Sequence, residues 1–150
     1  MVDSETRWAM VRKLRQRPAV EVLEPKVRPV QQEDLPAIKD IYNYFIQNTV
    51  ITFDDVPLDL SYWQERFEMS EKFPLPFLVM SRGAEILGFA YVSPWRQRTS
   101  YLKVVENSIY LSAPATGKGL GSILFAALIA ECEKVGIKEV IAVIADRGAH

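Results

Sequence analysis

Apolar residues recur along this chain at two periods. Ile38, Ile41, Tyr42 and Phe45 fall at i, i+3, i+4 and i+7 behind Pro36, the spacing of an amphipathic helix opened by an N-terminal proline. Ser61 and Gln64 read as a capping box for a second helix, on which Trp63 and Phe67 lie one turn apart. Leu120, Ile123, Leu124, Ala127, Leu128 and Cys132 form a third helical stripe, which Gly136 ends as a C-cap. Strand patterns lie between these stripes. Lys26 to Pro29 is a short strand, and Phe77 to Met80 and Ile86 to Val92 are apolar runs joined by the turn residues Ser81, Arg82, Gly83 and Ala84, which predicts an antiparallel hairpin. Lys103 to Leu111 alternates: Glu106, Ser108 and Tyr110 share one face, Val105, Asn107, Ile109 and Leu111 the other, so one side of this strand is polar. Val140 to Ala145 is wholly apolar, which predicts a parallel strand buried on both faces after a helical crossover.

The order hairpin, strand, glycine loop, helix, strand gives an α/β chain with a mixed sheet. Its 150 residues suit one domain, and 49% apolar with 25% charged residues is the balance of a globule with a core. Lys and Arg number 18 against 19 Asp and Glu, so no overall field gathers nucleic acid or an acidic membrane. Cys132 is the only cysteine and His150 the only histidine, which excludes an intrachain disulfide and supplies poorly a zinc site, a Ser/His/Asp triad or a Cys/His dyad. No apolar run approaches the roughly 20 residues of a membrane-spanning helix, so a cytoplasmic protein is expected. Residues 1–25 read as a basic N-terminal extension. Trp8, Met10, Val11 and Leu14 among its arginines resemble an organelle address, but Asp3 and Glu5 speak against one. A partly ordered surface extension ended by Pro18 is the simpler reading.

Thr116-Gly117-Lys118-Gly119-Leu120-Gly121-Ser122 lies between a predicted strand and a predicted helix. Alternate glycines let a ligand approach the backbone, and helix N-terminal amides offer donors and partial positive charge to a phosphate. A glycine-rich tight turn is the plainer alternative. The nucleoside-triphosphate loop fails on spacing, because Ser112 and Gly119 stand where it needs Gly and Ser or Thr. The dinucleotide pattern fails at Ser122.

In context, the loop resembles the pyrophosphate-binding Gln/Arg-x-x-Gly-x-Gly/Ala segment of the GNAT acetyltransferase superfamily. Pro94-Trp95-Arg96-Gln97-Arg98-Thr99-Ser100-Tyr101, Val105-Glu106-Asn107-Ser108-Ile109-Tyr110-Leu111 and Ile141-Ala142-Val143-Ile144-Ala145-Asp146 are similar to its phosphinothricin and methionine sulfoximine acetyltransferase branch, from about Val27 to Asp146. The resemblance implies the GNAT fold over residues 26–150 and acetyl transfer from acetyl-CoA, without a metal, to the primary amine of a small amino-acid-like substrate. It implies that Thr116, Gly117, Lys118, Gly119, Leu120 and Gly121 bind the pyrophosphate, that pantetheine pairs with the strand at Ile109, Tyr110 and Leu111, and that Glu106 is the base. It also places Phe53, Arg96 and Arg98 at the acceptor. A carboxylate suits the chemistry on its own terms, since an amine with a pKa of roughly 10 must lose a proton before it attacks. Arginine forks suit an anionic head group. The plainer readings are a surface carboxylate on an edge strand for Glu106, a solvated loop for the arginines, a core aromatic for Phe53, core packing for Tyr110 and a small buried hydrophobe for Cys132.

Two departures stand out. Thr116 occupies a place usually held by Gln or Arg, and the chain ends at His150, where the family continues with another helix and two strands. The domain is therefore expected to be C-terminally incomplete, with an apolar edge that a missing segment or a partner would cover and a homodimer when that region is present. A CoA-binding or interaction module that keeps the fold without turnover is the alternative function. A nucleotide-binding fragment is a weaker one.

Overall fold

Alternation within the central hairpin sorts its side chains onto two faces, and the helices follow. The computed structural model describes residues 3–15, 22–52, 54–95 and 103–144. In chain order they form α1 (Ser4–Arg15), β1 (Lys26–Pro29), a short 3-10 turn, α2 (Leu35–Asn48), α3 (Leu60–Lys72), β2 (Phe77–Arg82), β3 (Glu85–Pro94), β4 (Val104–Leu111), a second 3-10 turn, α4 (Leu120–Lys134) and β5 (Glu139–Ala142). The five strands make one sheet in the order β1-β2-β3-β4-β5. Every neighbouring pair is antiparallel except β4 and β5, which run parallel across the α4 crossover.

Phe77, Val79, Phe89 and Tyr91 turn to one face and meet Ile38, Ile41 and Tyr42 of α2 and Trp63 of α3. Leu78, Met80, Ala90, Val92 and Val105 turn to the other and meet Leu124, Leu128 and Cys132 of α4. A register shift at Met80/Ser81 gives β3 one extra residue there, so Leu87 joins the α4 side while Ile86 stays on the other. At the sheet's first edge, Arg28 Nη1 and Nη2 donate to the two carboxylate oxygens of Asp34 at 2.6 and 2.8 Å, and the Gln31 N–H adds a bond of 2.8 Å. This fork ties β1 to the turn that launches α2.

Three expectations change. The N-cap of α3 is Asp59, whose Oδ1 accepts from the Tyr62 N–H at 3.2 Å and from Ser61 Oγ at 2.5 Å. Ser61 supports an aspartate cap rather than forming the capping box itself. The hairpin loop holds only Gly83 and Ala84, because Ser81 and Arg82 pair with Ile86 and Glu85. The last strand is not buried on both faces: β5 is four residues at an edge of the sheet, half-buried at Val140 and Ile141, and Val143 and Ile144 beyond it are 47% and 84% exposed. Cys132 is buried as expected, 2% exposed. Trp8 and Met10 of α1 are exposed, as befits a surface helix, and Pro18 lies outside the described residues.

Candidate functional site

The site starts where two strands part. β4 and β5 are in register from Val104↔Glu139 to Asn107↔Ala142, and β4 continues alone to Leu111. Backbone parity shows what this exposes. Ser112 N–H donates to Leu87 O at 2.8 Å and Val104 O accepts from Trp95 N–H at 3.2 Å, so even-numbered residues of β4 turn their backbone groups to β3. Lys103 O accepts from the N–H groups of Lys138 and Glu139 at 2.8 and 3.0 Å, so odd-numbered residues turn toward β5. Ile109 and Leu111 therefore direct N–H and C=O into the gap, where no strand of the described residues pairs with them.

That edge leads to the start of α4. Gly119 is the N-cap, at φ 77° in the left-handed region, with no side-chain capping bond, and Gly117 has φ 75°. A Cβ at Gly117 or Gly119 would meet nothing within 4 Å, so the loop's outer face is open. A Cβ at Gly121 would lie 3.6 Å from Leu111 Cδ1, which sets the first turn of α4 beside the end of β4. Thr116 Oγ1 turns back to donate to Ala113 O at 2.7 Å, stiffening the entry to the loop. The first N–H groups of α4 have no partner within the helix and carry its positive dipole end. These donors fit an anion such as a diphosphate.

The gap forms a cleft of about 370 Å³ whose walls include Glu106, Ser108, Ile109 and Tyr110 of β4, Tyr42 of α2 and Asp54 of the α2–α3 connection. Glu106 is half-buried, opposite Ser93 of β3 and Ile141 of β5. Ser108 and Tyr110 share its face, but this face is less polar than expected: Tyr110 packs on Tyr42, Phe45 and Phe89 at ring separations of 5.1, 5.6 and 5.4 Å. The Tyr42 hydroxyl donates to Asp54 Oδ2. Burial, with neighbouring negative groups, pushes the Tyr110 phenol up to about 12 and raises that of Tyr42, and burial raises that of Tyr91 against the opposing charge of Arg66. All three are neutral donors near neutral pH. Asn107 Oδ1 is buried without a protein partner.

Of the residues singled out in the sequence, Glu106, Ile109 and Tyr110 line this cleft, and Leu111 and the loop from Thr116 to Gly121 continue from it. Phe53, Arg96 and Arg98 lie outside the described residues. Tyr42, Tyr91 and Asp54 were not expected here. Tyr42 reads as one more apolar position of a helical stripe, and Asp54 lies in a short acidic stretch with Asp55 and Asp59 whose spacing gives no sign of a partner. Among the described residues, no three His, Cys, Asp or Glu side chains gather as metal ligands, and no helix is long and apolar enough to cross a membrane.

Residues 38–150 match the acetyltransferase (GNAT) family. A phosphinothricin N-acetyltransferase of Alcaligenes faecalis is 36% identical over 122 residues, covering 81% of this chain and 62% of the relative. An L-methionine sulfoximine/L-methionine sulfone acetyltransferase of Pseudomonas aeruginosa is 34% identical over 123 residues, covering 81% and 72%. The chain spans 62–64% of the length of three phosphinothricin N-acetyltransferases that it matches. Among solved structures, a GNAT superfamily phosphinothricin acetyltransferase of Sinorhizobium meliloti in complex with acetyl-CoA superposes with a TM-score of 0.76 at 34% identity, covering 81% of this chain and 66% of that one. Fold, loop and sequence agree, and the chain belongs to the acetyltransferase (GNAT) family.

Proposed function

We propose that this chain is an acetyl-CoA-dependent N-acetyltransferase that acts on the primary amine of a small amino-acid-like acceptor, of the phosphinothricin or methionine sulfoximine/sulfone type, with Glu106 as general base. The observation that carries the proposal is the parting of β4 from β5, which sets Glu106, the unpaired backbone of Ile109 and Leu111, and the uncapped start of α4 along one path. The named acetyltransferase relatives and the acetyl-CoA complex of the Sinorhizobium meliloti structure support the same reading.

The residues present fit the co-substrate. Backbone donors of the segment Thr116, Gly117, Lys118, Gly119, Leu120 and Gly121 would hold its diphosphate, and the open edge at Ile109 and Leu111 would pair with the amides of its pantetheine arm, whereas Tyr110, expected there from the resemblance, turns its backbone groups to β3. Thr116 brings no charge to this contact, so the amides carry it. Acetyl-CoA supplies an activated acyl thioester. The protein's own work is on the acceptor: an amine with a pKa of roughly 10 arrives protonated, and Glu106 takes the proton directly or through one water. The neutral tyrosines of the wall donate hydrogen bonds and do not compete for that proton. Arg96 and Arg98 are the proposed contacts to the acceptor's anionic head group, and Phe53 a proposed contact to the acceptor. Action in the cytoplasm and as a homodimer belongs to the same proposal.

Acetyl-CoA consumption with phosphinothricin or methionine sulfone tests it. Glu106→Gln should lower kcat by about 10²- to 10⁴-fold, the usual worth of a general base, and leave the KM for acetyl-CoA nearly unchanged. A wild-type protein that binds acetyl-CoA without turnover, or a variant with an undiminished rate, contradicts the proposal.

A further inference from the structure

The cleft has a second carboxylate that proton abstraction does not require. Asp54 comes from the connection between α2 and α3, whereas Glu106 belongs to the sheet, yet both line the same cavity. Asp54 is exposed, yet one of its carboxylate oxygens is tied to a buried side chain. Tyr42 is only 6% exposed and gives its hydroxyl to Asp54 Oδ2, while Asp54 Oδ1 accepts no hydrogen bond from the described residues. Around the pair stand the aromatic rings of Tyr42, Tyr91 and Tyr110, and no lysine or arginine is among the described residues that line the cleft.

We infer that Asp54 is a specificity-determining residue for the acceptor: held in place by Tyr42, its carboxylate receives the acceptor's ammonium group and positions it for Glu106. This rests on the acetyl-transfer reading above and divides the labour within it. Asp54 contributes to binding of the charged amine, and Glu106 removes the proton. A zwitterionic acceptor meets both demands, with its cationic end at Asp54 and its anionic end left for contacts elsewhere.

The test uses the full chain as wild type, Asp54→Asn, Asp54→Glu and Tyr42→Phe, with methionine sulfone as acceptor. Steady-state kinetics are measured beside thermal-shift titrations with methionine sulfone alone. In Asp54→Asn the KM for methionine sulfone should rise about tenfold, as for loss of one charge-assisted hydrogen bond, with kcat within about threefold and the KM for acetyl-CoA unchanged. Asp54→Glu should recover part of the loss, and Tyr42→Phe should show a smaller rise. A fall in kcat at unchanged KM overturns the inference, and so does a parallel rise in the KM for acetyl-CoA with a lower melting temperature, which would mark Asp54 as a prop for its loop. If the wild type shows no turnover, the acetyl-transfer reading fails and the titration decides this one. Stabilisation of the wild type but not of Asp54→Asn sustains it, and equal stabilisation, or none, overturns it.

Discussion

Asp34 is buried, its side chain 8% exposed, and the Arg28 that forks onto it is 35% exposed. Burial alone would raise its carboxyl pKa, but the hydrogen bonds from Arg28 and from the Gln31 N–H, with the charge of Arg28, outweigh that and hold it below the usual carboxylate range. A group whose pKa is lower when folded stabilises the fold above its unfolded pKa, here roughly 3.9, and loses that contribution as pH falls through the folded value. Urea titrations should therefore show stability falling below about pH 4, with a shallower fall in Asp34→Asn. At pH 7 the variant should be less stable by roughly 1–3 kcal/mol, because Asn keeps one acceptor oxygen but replaces the other by a donor facing the guanidinium or the N–H, and removes the charge. An unchanged acid profile would contradict this account of the fork. At this scale the sequence was partly readable. Glu106 stands out as the only acid on its strand, and the glycines 117, 119 and 121 stand out by their spacing. The Tyr42–Asp54 bond does not, because it joins residues twelve apart whose meeting depends on how the α2–α3 connection returns over the sheet.

The element that sets the cleft is β4, and its seat depends on a close approach to β3. A Cβ built on Gly88 would lie 2.7 Å from the carbonyl oxygen of Tyr110 and 2.5 Å from Leu111 Cδ2, closer than real contacts allow. The leucine can turn aside, but the backbone oxygen cannot. Gly88→Ala should thus push β4 outward at Tyr110 and Leu111 and cost about 1–3 kcal/mol, the range for overpacked sites. A melting temperature and an acetyl-CoA affinity equal to wild type would show that β4 has slack there. The hairpin, β1 and three of the helices were legible because period and turn chemistry agree locally. β5 was legible as a strand parallel to β4 after the α4 crossover, but its burial was not, for a physical reason: an apolar run has the same pattern at an edge as in the interior, and only the partners around it decide which. The start of α3 went to Asp59 rather than Ser61 because a carboxylate two residues earlier offers the stronger acceptor.

Across the whole molecule, the sheet separates two apolar clusters. α2 and α3 cover one face around Trp63 and Phe89, and α4 covers the other around Leu124 and Leu128. This leaves the parting of β4 and β5 as the place where backbone donors, a carboxylate and a helix start lie together. Amide hydrogen exchange, measured with and without acetyl-CoA, tests that arrangement most directly. The account predicts slower exchange at Ile109, Leu111 and the amides from Gly117 to Gly121, and little change at β1 and the β2–β3 turn. Protection that spared these amides while acetyl-CoA bound elsewhere would contradict it.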